Sequence, residues 1–233
     1  CRAHQRAVPG SSNVNASTEI RTSIRRTRIK ICGITLPEHG VCAAENGADA
    51  IGLVFYPPSP RAVDARMAAT ICAELPPFTS RVALFVNASV DEVRRVLDAC
   101  PIDTLQFHGD EESQYCASFG VPYVKSIGVK PGVDVVATVN RYPDAAGVLL
   151  DQHDRVNWGG TGQAFDWALV PGERLKPTIL AGGLTPDNVA EAIRTVRPEA
   201  VDVSGGVEAS KGVKDAEKIK AFIRGVESVS TEQ

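Results

Sequence analysis

The chain has 233 residues, of which 43% are hydrophobic and 23% charged, with a formal net charge of −3. That is enough for one domain with a full core, and the balance gives no general attraction to nucleic acid. No apolar run approaches the roughly 20 residues that span a bilayer, so no membrane partner is expected; a local pocket for a phosphorylated small molecule stays open.

Residues 1–27 hold five arginines, a single acid (Glu19), and much Ser, Asn, Thr and Ala without hydrophobic periodicity. This reads as a disordered N-terminal extension, and more weakly as part of a transit peptide. From Arg28 short apolar runs alternate with longer amphipathic ones. The expected strands are Arg28–Cys32, Ala50–Phe55, Arg81–Val86, Asp103–Phe107, Pro122–Ser126, Ala146–Leu150, Pro177–Ala181 and Ala200–Val203. They are rich in Val, Ile and Leu, as buried parallel strands are. Expected helices include Pro37–Asn46 after a Thr35 cap, Val90–Ala99 after Ser89, Thr185–Val196 with Pro in its first turn, and Asp215–Val226. Asp166 and Trp167 start a short helical segment, and the GGTG run at 159–162 makes a flexible or tight loop.

Strict alternation of strand and helix predicts a parallel sheet, and eight repeats favour an α/β fold of the TIM (β/α)8 barrel type, a single domain over 28–226 with a tail at 227–233. A doubly wound sheet competes, but no GxGxxG follows the first strand. The six cysteines, Cys1, Cys32, Cys42, Cys72, Cys100 and Cys116, show no CxxC spacing. They read as small buried hydrophobes in a reducing, cytoplasmic compartment, and no metal site is expected.

A barrel of this kind works at the C-terminal ends of its strands. Cys32 ends the first run and Asp151 follows the sixth, so the two face each other across the mouth. A thiol whose pKa the site lowers can serve as a base, and a desolvated carboxyl as an acid. Arg61 lies in a loop stiffened by Pro57, Pro58 and Pro60, which suits a guanidinium presented to a carboxylate, although a solvated surface arginine has the same spacing. His108 follows the fourth run as a hydrogen-bonding or structural residue. Gly182 and Gly183 follow the seventh run, and Ser204, Gly205 and Gly206 the eighth. Such glycines expose backbone N–H groups to a phosphate, and a short helix near Gly206 would add its dipole; tight turns needing positive φ explain them equally.

Taken in order, KICGIT at 30–35, SPR at 59–61, LQFHGDE at 105–111, LLD at 149–151, GGTGQAFDW at 159–167, LAGGLTPDNV at 180–189 and VDVSGGVE at 201–208 resemble the motifs of phosphoribosylanthranilate isomerases. The resemblance covers residues 28 to about 226. It implies an aldose–ketose isomerase of tryptophan biosynthesis, acting without cofactor on a phosphorylated aminosugar and needing no protein partner. N-(5-phosphoribosyl)anthranilate becomes 1-(2-carboxyphenylamino)-1-deoxyribulose 5-phosphate by an Amadori rearrangement. By the same resemblance Asp151 is the acid, Cys32 the base, and Arg61 the contact to the anthranilate carboxylate. His108 and Asp202 join the substrate-binding residues, and the two glycine clusters form the phosphate cradle. Two positions depart from the pattern: Gly205 replaces a serine of VDVSSGVE, with little loss expected, and Phe107 replaces a leucine of LQLHG, a core change. A dual-substrate barrel isomerase is disfavoured because it carries an aspartate where this chain has Cys32. A non-catalytic phosphosugar-binding barrel is disfavoured because acid and base are both present.

Overall fold

Eight parallel strands close into a barrel in simple sequence order, the eighth pairing with the first. The computed structural model describes residues 26–152, 166–172 and 174–230. The strands are β1 Arg28–Cys32, β2 Ala50–Phe55, β3 Ser80–Phe85, β4 Thr104–Phe107, β5 Tyr123–Gly128, β6 Gly147–Asp151, β7 Thr178–Leu180 and β8 Ala200–Val203. All eight expected runs are strands, with edges moved by at most two residues.

The helices are α1 Pro37–Glu45, α2 Ala65–Glu74, α3 Val90–Ala99, α4 Ser113–Ala117, α5 Val135–Asn140, α6 Val189–Val196 and α7 Ala216–Ser230. Helix α3 starts as its sequence demands: Ser89 accepts from the Glu92 amide while Glu92 reaches back to the Ser89 amide. Asp166 likewise accepts from the Ala168 amide and opens a 3-10 turn at Trp167–Leu169. Two expected starts are corrected. Thr35 does not cap α1; its hydroxyl donates to the Gly212 carbonyl at 2.7 Å. Helix α6 begins at Val189, not Thr185; residues 186–188 form a turn in which the Asn188 side chain accepts from the Thr185 amide at 2.8 Å and donates to the Gly183 carbonyl at 2.9 Å. Helix α7 outruns its expected end at Val226, continuing to Ser230 with Val229 buried, so residues 227–230 are helix and not tail. At the other end Arg26 already pairs with Asp49 and Thr27 is buried. Residues 1–25 and the GGTG run lie outside the described residues.

Strand alternation sorts the side chains. Ile29, Ile31, Ile51, Leu53, Val148, Leu150, Val201 and Val203 join a buried cluster with helical residues such as Ile71, Ile193, Phe222 and Val226. Phe107 is fully buried in a second cluster with Phe119 and Tyr123, consistent with a core change. A two-stranded hairpin, β9 Glu208–Ser210 and β10 Val213–Lys214, follows β8 and was not expected from the sequence. No helix among the described residues is long and apolar enough to cross a membrane.

Candidate active site

Side chains at the C-terminal ends of the strands surround a cavity of about 320 Å³. Cys32, Arg61, His108, Asp151, Asp202, Gly182, Gly183, Ser204, Gly205 and Gly206 all line it. The structure therefore brings every site residue expected from the sequence to one opening. Leu84, Val86 and Leu149 supply an apolar wall.

Cys32 and Lys30 share the inward side of β1, two residues apart. Neighbouring Gly52 leaves them room: a Cβ there would stand 2.8 Å from the Cys32 Sγ and 3.1 Å from the Lys30 Cε. Across the β1–β8 seam Lys30 is paired in register with Asp202, and its Nζ donates to Asp202 Oδ2 at 2.7 Å with both side chains buried. Burial disfavours the Lys30 charge, but Asp202 and Cys32 outweigh it and hold its pKa above the ordinary lysine value. The second oxygen of Asp202, Oδ1, is buried with no hydrogen-bond partner among the described residues, which leaves an acceptor beside the cavity. Lys30 does not stand out in the sequence; its one signal is a lysine between the two isoleucines of the RIKIC run.

Burial also governs the two groups expected to move protons. It pushes the Cys32 thiol above its ordinary value, with nearby Lys30 pulling the other way and Asp202 adding to the rise. The expected lowering is thus absent: the resting site keeps Cys32 as the thiol, because Lys30, already neutralised by Asp202, and Lys214 together do not offset the loss of water. Burial raises the Asp151 carboxyl to about 6, assisted by Asp202 and opposed by the Gln152 amide and Lys30. That value holds a usable protonated fraction near neutral pH.

His108 stands beside Asp151, its Nε2 3.6 Å from Oδ2, a close polar contact longer than a hydrogen bond. Its Nδ1 lies 3.3 Å from the Gln106 amide nitrogen, which also donates to Ser126 Oγ at 3.3 Å. An amide nitrogen only donates, so Nδ1 accepts and the ring proton sits on Nε2, toward Asp151. Behind this loop Lys125 and Glu111 form a buried pair at 3.1 Å, and Glu111 accepts from the Gly109 and Asn87 amides, which fixes the turn after His108.

Arg61 is not a solvated arginine. Its Nε and Nη2 donate to Glu208 at 2.6 and 2.9 Å. Glu208 also accepts from Lys214 at 2.9 Å. Neither Glu208 nor Lys214 was singled out from the sequence, since a hairpin of five residues and two turn positions gives little periodic signal.

The two glycine clusters meet at the cavity's edge. Gly182 and Gly183 have φ of 82° and 65°, as the turn reading of this pair requires. Gly206 is pressed against the backbone: a Cβ there would fall on the Leu184 carbonyl oxygen. Its role is to let the seventh and eighth loops touch. The expected short helix is one 3-10 turn, Gly205–Val207, too short for an appreciable dipole, so any anion here meets individual N–H groups. A Cβ at Gly205 would stand 3.3 Å from Arg61 Nη2, so glycine leaves that guanidinium room.

Residues 29–225 match the family described as N-(5'phosphoribosyl)anthranilate (PRA) isomerase. A protein of Hahella chejuensis named N-(5'-phosphoribosyl)anthranilate isomerase is 58% identical over 199 residues, covering 85% of this chain and 93% of that one. A Pseudomonas aeruginosa protein of the same name is 58% identical over 201 residues, covering 86% of this chain and 95% of its own length. Among solved structures, the phosphoribosyl anthranilate isomerase of Thermotoga maritima superposes with a TM-score of 0.80 at 40% identity, covering 87% of this chain and 99% of that chain. A second, holding reduced 1-(o-carboxyphenylamino)-1-deoxyribulose 5-phosphate, superposes with a TM-score of 0.77 at 39% identity, covering 87% and 99%. With its closed eightfold barrel and its acid, thiol and glycine loops on one cavity, the chain belongs to the N-(5'-phosphoribosyl)anthranilate isomerase family.

Proposed function

We propose that this cavity converts N-(5'-phosphoribosyl)anthranilate to its deoxyribulose isomer, with Asp151 as general acid and Cys32 as general base. The observation that carries the assignment is the opposition of these two side chains across one cavity, on strands three places apart around the ring. The neutral Asp151 carboxyl gives its proton to the furanose ring oxygen. The ring C1–O bond breaks, and the anthranilate nitrogen supplies the electron pair for a cationic Schiff base. Cys32 takes the proton from C2, and those electrons neutralise the nitrogen to give an enolamine. Loss of the C2 hydroxyl proton and gain of one at C1 complete an isomerisation with no net change in atoms. The Schiff-base cation, beside Lys30, favours the thiolate against burial, so the Cys32 thiol releases its proton to water before it takes the one from C2.

Arg61 takes the anthranilate carboxylate, the free Oδ1 of Asp202 accepts from a sugar hydroxyl, and His108 supports Asp151. Gly182, Gly183, Ser204, Gly205 and Gly206 hold the phosphate. The ligand is thus a phosphorylated aminosugar, and no organic cofactor enters these steps. A cytoplasmic setting suits Cys32, Cys42, Cys72, Cys100 and Cys116, which are all free thiols.

Loss of phosphoribosylanthranilate fluorescence measures turnover directly. Cys32→Ala and Asp151→Asn should each lower kcat at least about 100-fold, the usual worth of a placed proton-transfer group, with much smaller change in binding of a product analogue. Near wild-type turnover in either variant removes that residue from the mechanism.

A further inference from the structure

The β9–β10 hairpin brackets Arg61. Glu208, 7% exposed, holds the Nε/Nη2 edge of the guanidinium in a two-point contact at 2.6 and 2.9 Å. Behind the arginine lies Gly33, where a Cβ would stand 2.6 Å from Arg61 Cδ and 3.0 Å from Ser204 Oγ. Lys214 joins Glu208 to the phosphate loop, donating to Glu208 at 2.9 Å and to the Ser204 carbonyl at 3.0 Å. The hairpin itself is pinned from outside: Thr35 donates to the Gly212 carbonyl at 2.7 Å, and Lys218 of α7 donates to the Glu208 carbonyl at 2.7 Å. Burial works against the Glu208 charge, yet Arg61 and Lys214 outweigh it and keep the carboxyl below its ordinary value. Glu208 is thus an anion between two basic side chains, of which burial holds Lys214 below the ordinary lysine value.

A guanidinium presents two forked edges, and Glu208 occupies the side-on one. Among the described residues no side chain takes the end-on Nη1/Nη2 edge. We propose that Glu208 is the positioning residue that aims this edge at the substrate carboxylate, and that with Lys214 it fixes the spacing between Arg61 and the phosphate loop. The inference rests on the assignment of Arg61 to the carboxylate. A two-point contact is strict in angle, and an arginine already immobilised loses less freedom when the ligand binds.

The test is calorimetric binding of two probes: reduced 1-(o-carboxyphenylamino)-1-deoxyribulose 5-phosphate, and the same compound without its carboxyl group. The wild type should prefer the carboxylate, and Arg61→Ala should abolish the preference. Glu208→Gln should weaken the carboxylate probe about ten-fold or more while changing the other less than about two-fold, the scale of one lost charge-assisted contact. Equal weakening of both probes would show a merely structural role and overturn the inference. A preference kept in Glu208→Gln but lost in Arg61→Ala overturns the positioning role alone. A preference kept in Arg61→Ala overturns the carboxylate reading and the inference with it. Glu208→Gln removes the counter-charge of a buried lysine, so the charge-balanced Glu208→Gln/Lys214→Met variant is measured alongside: loss of the Lys214 tie to the phosphate loop weakens both probes alike, the carboxylate probe should lose about ten-fold more than the other, and equal loss overturns the inference.

Discussion

Along β1 the outward side chains are Ile29 and Ile31, exposed by 1% and 0%, while the inward ones are Lys30 and Cys32. On β8 the contrast repeats: Val201 and Val203 face the helices and Asp202 faces Lys30. The outer layer lowers the free energy by removing hydrocarbon from water, a non-directional term that any well-fitting side chain supplies. The inner layer holds charges out of water, a cost met only by exact partners such as Lys30 with Asp202. One strand therefore carries stability on one face and reactivity on the other, and the two should separate under mutation.

The largest separation is expected from Phe222→Ala on α7. Phe222 is fully buried in the outer cluster, and its loss should cost about 3–5 kcal/mol of stability by chemical denaturation. The fraction that stays folded should keep wild-type kcat, and a fall in kcat per folded molecule would show that the layers are coupled. Asp151→Asn reverses the pattern. The folded value of about 6 exceeds the ordinary carboxyl value, so the folded state holds its proton more tightly than the unfolded chain. Its favourable contribution is full below about pH 4 and is lost as pH rises through 6, which leaves a penalty of about 2–3 kcal/mol at pH 7. Asp151→Asn should therefore be more stable than wild type by about that amount at pH 7 and no different near pH 4, in urea midpoints at both. An equal difference at the two pH values would sever stability from this carboxyl.

How much of this contrast is legible without coordinates depends on the range of the interaction. The strands announce themselves because each is a local apolar run, and Ser89 announces α3 because its partner Glu92 is three residues away. Helices α4 and α5, with 5 and 6 residues, are too short for a 3.6-residue period to show. Cys32, Asp151 and the glycine loops were found by asking which residues end a strand, a rule the fold supplies. Lys30, Glu208 and Lys214 escape that rule. Lys30 meets Asp202 across 172 positions and Arg61 meets Glu208 across 147, and closure of the ring creates both pairs. A lone charge in an apolar run carries no local sign of what will neutralise it. Nor does chain order predict that Cys32 rests as a thiol, because burial is a property of the assembled wall.

A finer test uses that thiol. Peptide-resolved iodoacetamide labelling should find Cys32 in the unliganded protein reacting appreciably only above the ordinary thiol range, and Lys30→Met should move its profile higher still, since Lys30 opposes the rise. A profile lying below that range would mean the site stores a thiolate at rest. The smallest expected effect belongs to the outer layer again: Ser89→Ala should cost about 1 kcal/mol through loss of the α3 cap, seen as a lower melting temperature with unchanged kcat.

The pairing of β1 with β8 has a consequence for synthesis. The first strand brings Lys30 and Cys32, but Asp202 arrives only with β8 and Glu208 only with β9. A nascent chain that stops short of Ala200 holds Cys32 without Asp202 and Arg61 without Glu208. Contacts between chain ends are also the slowest to find, because the whole intervening loop must close first. The reactive corner is therefore among the last parts of the molecule to exist, and an unfinished polypeptide on the ribosome carries Cys32, Arg61 and Asp151 without the site.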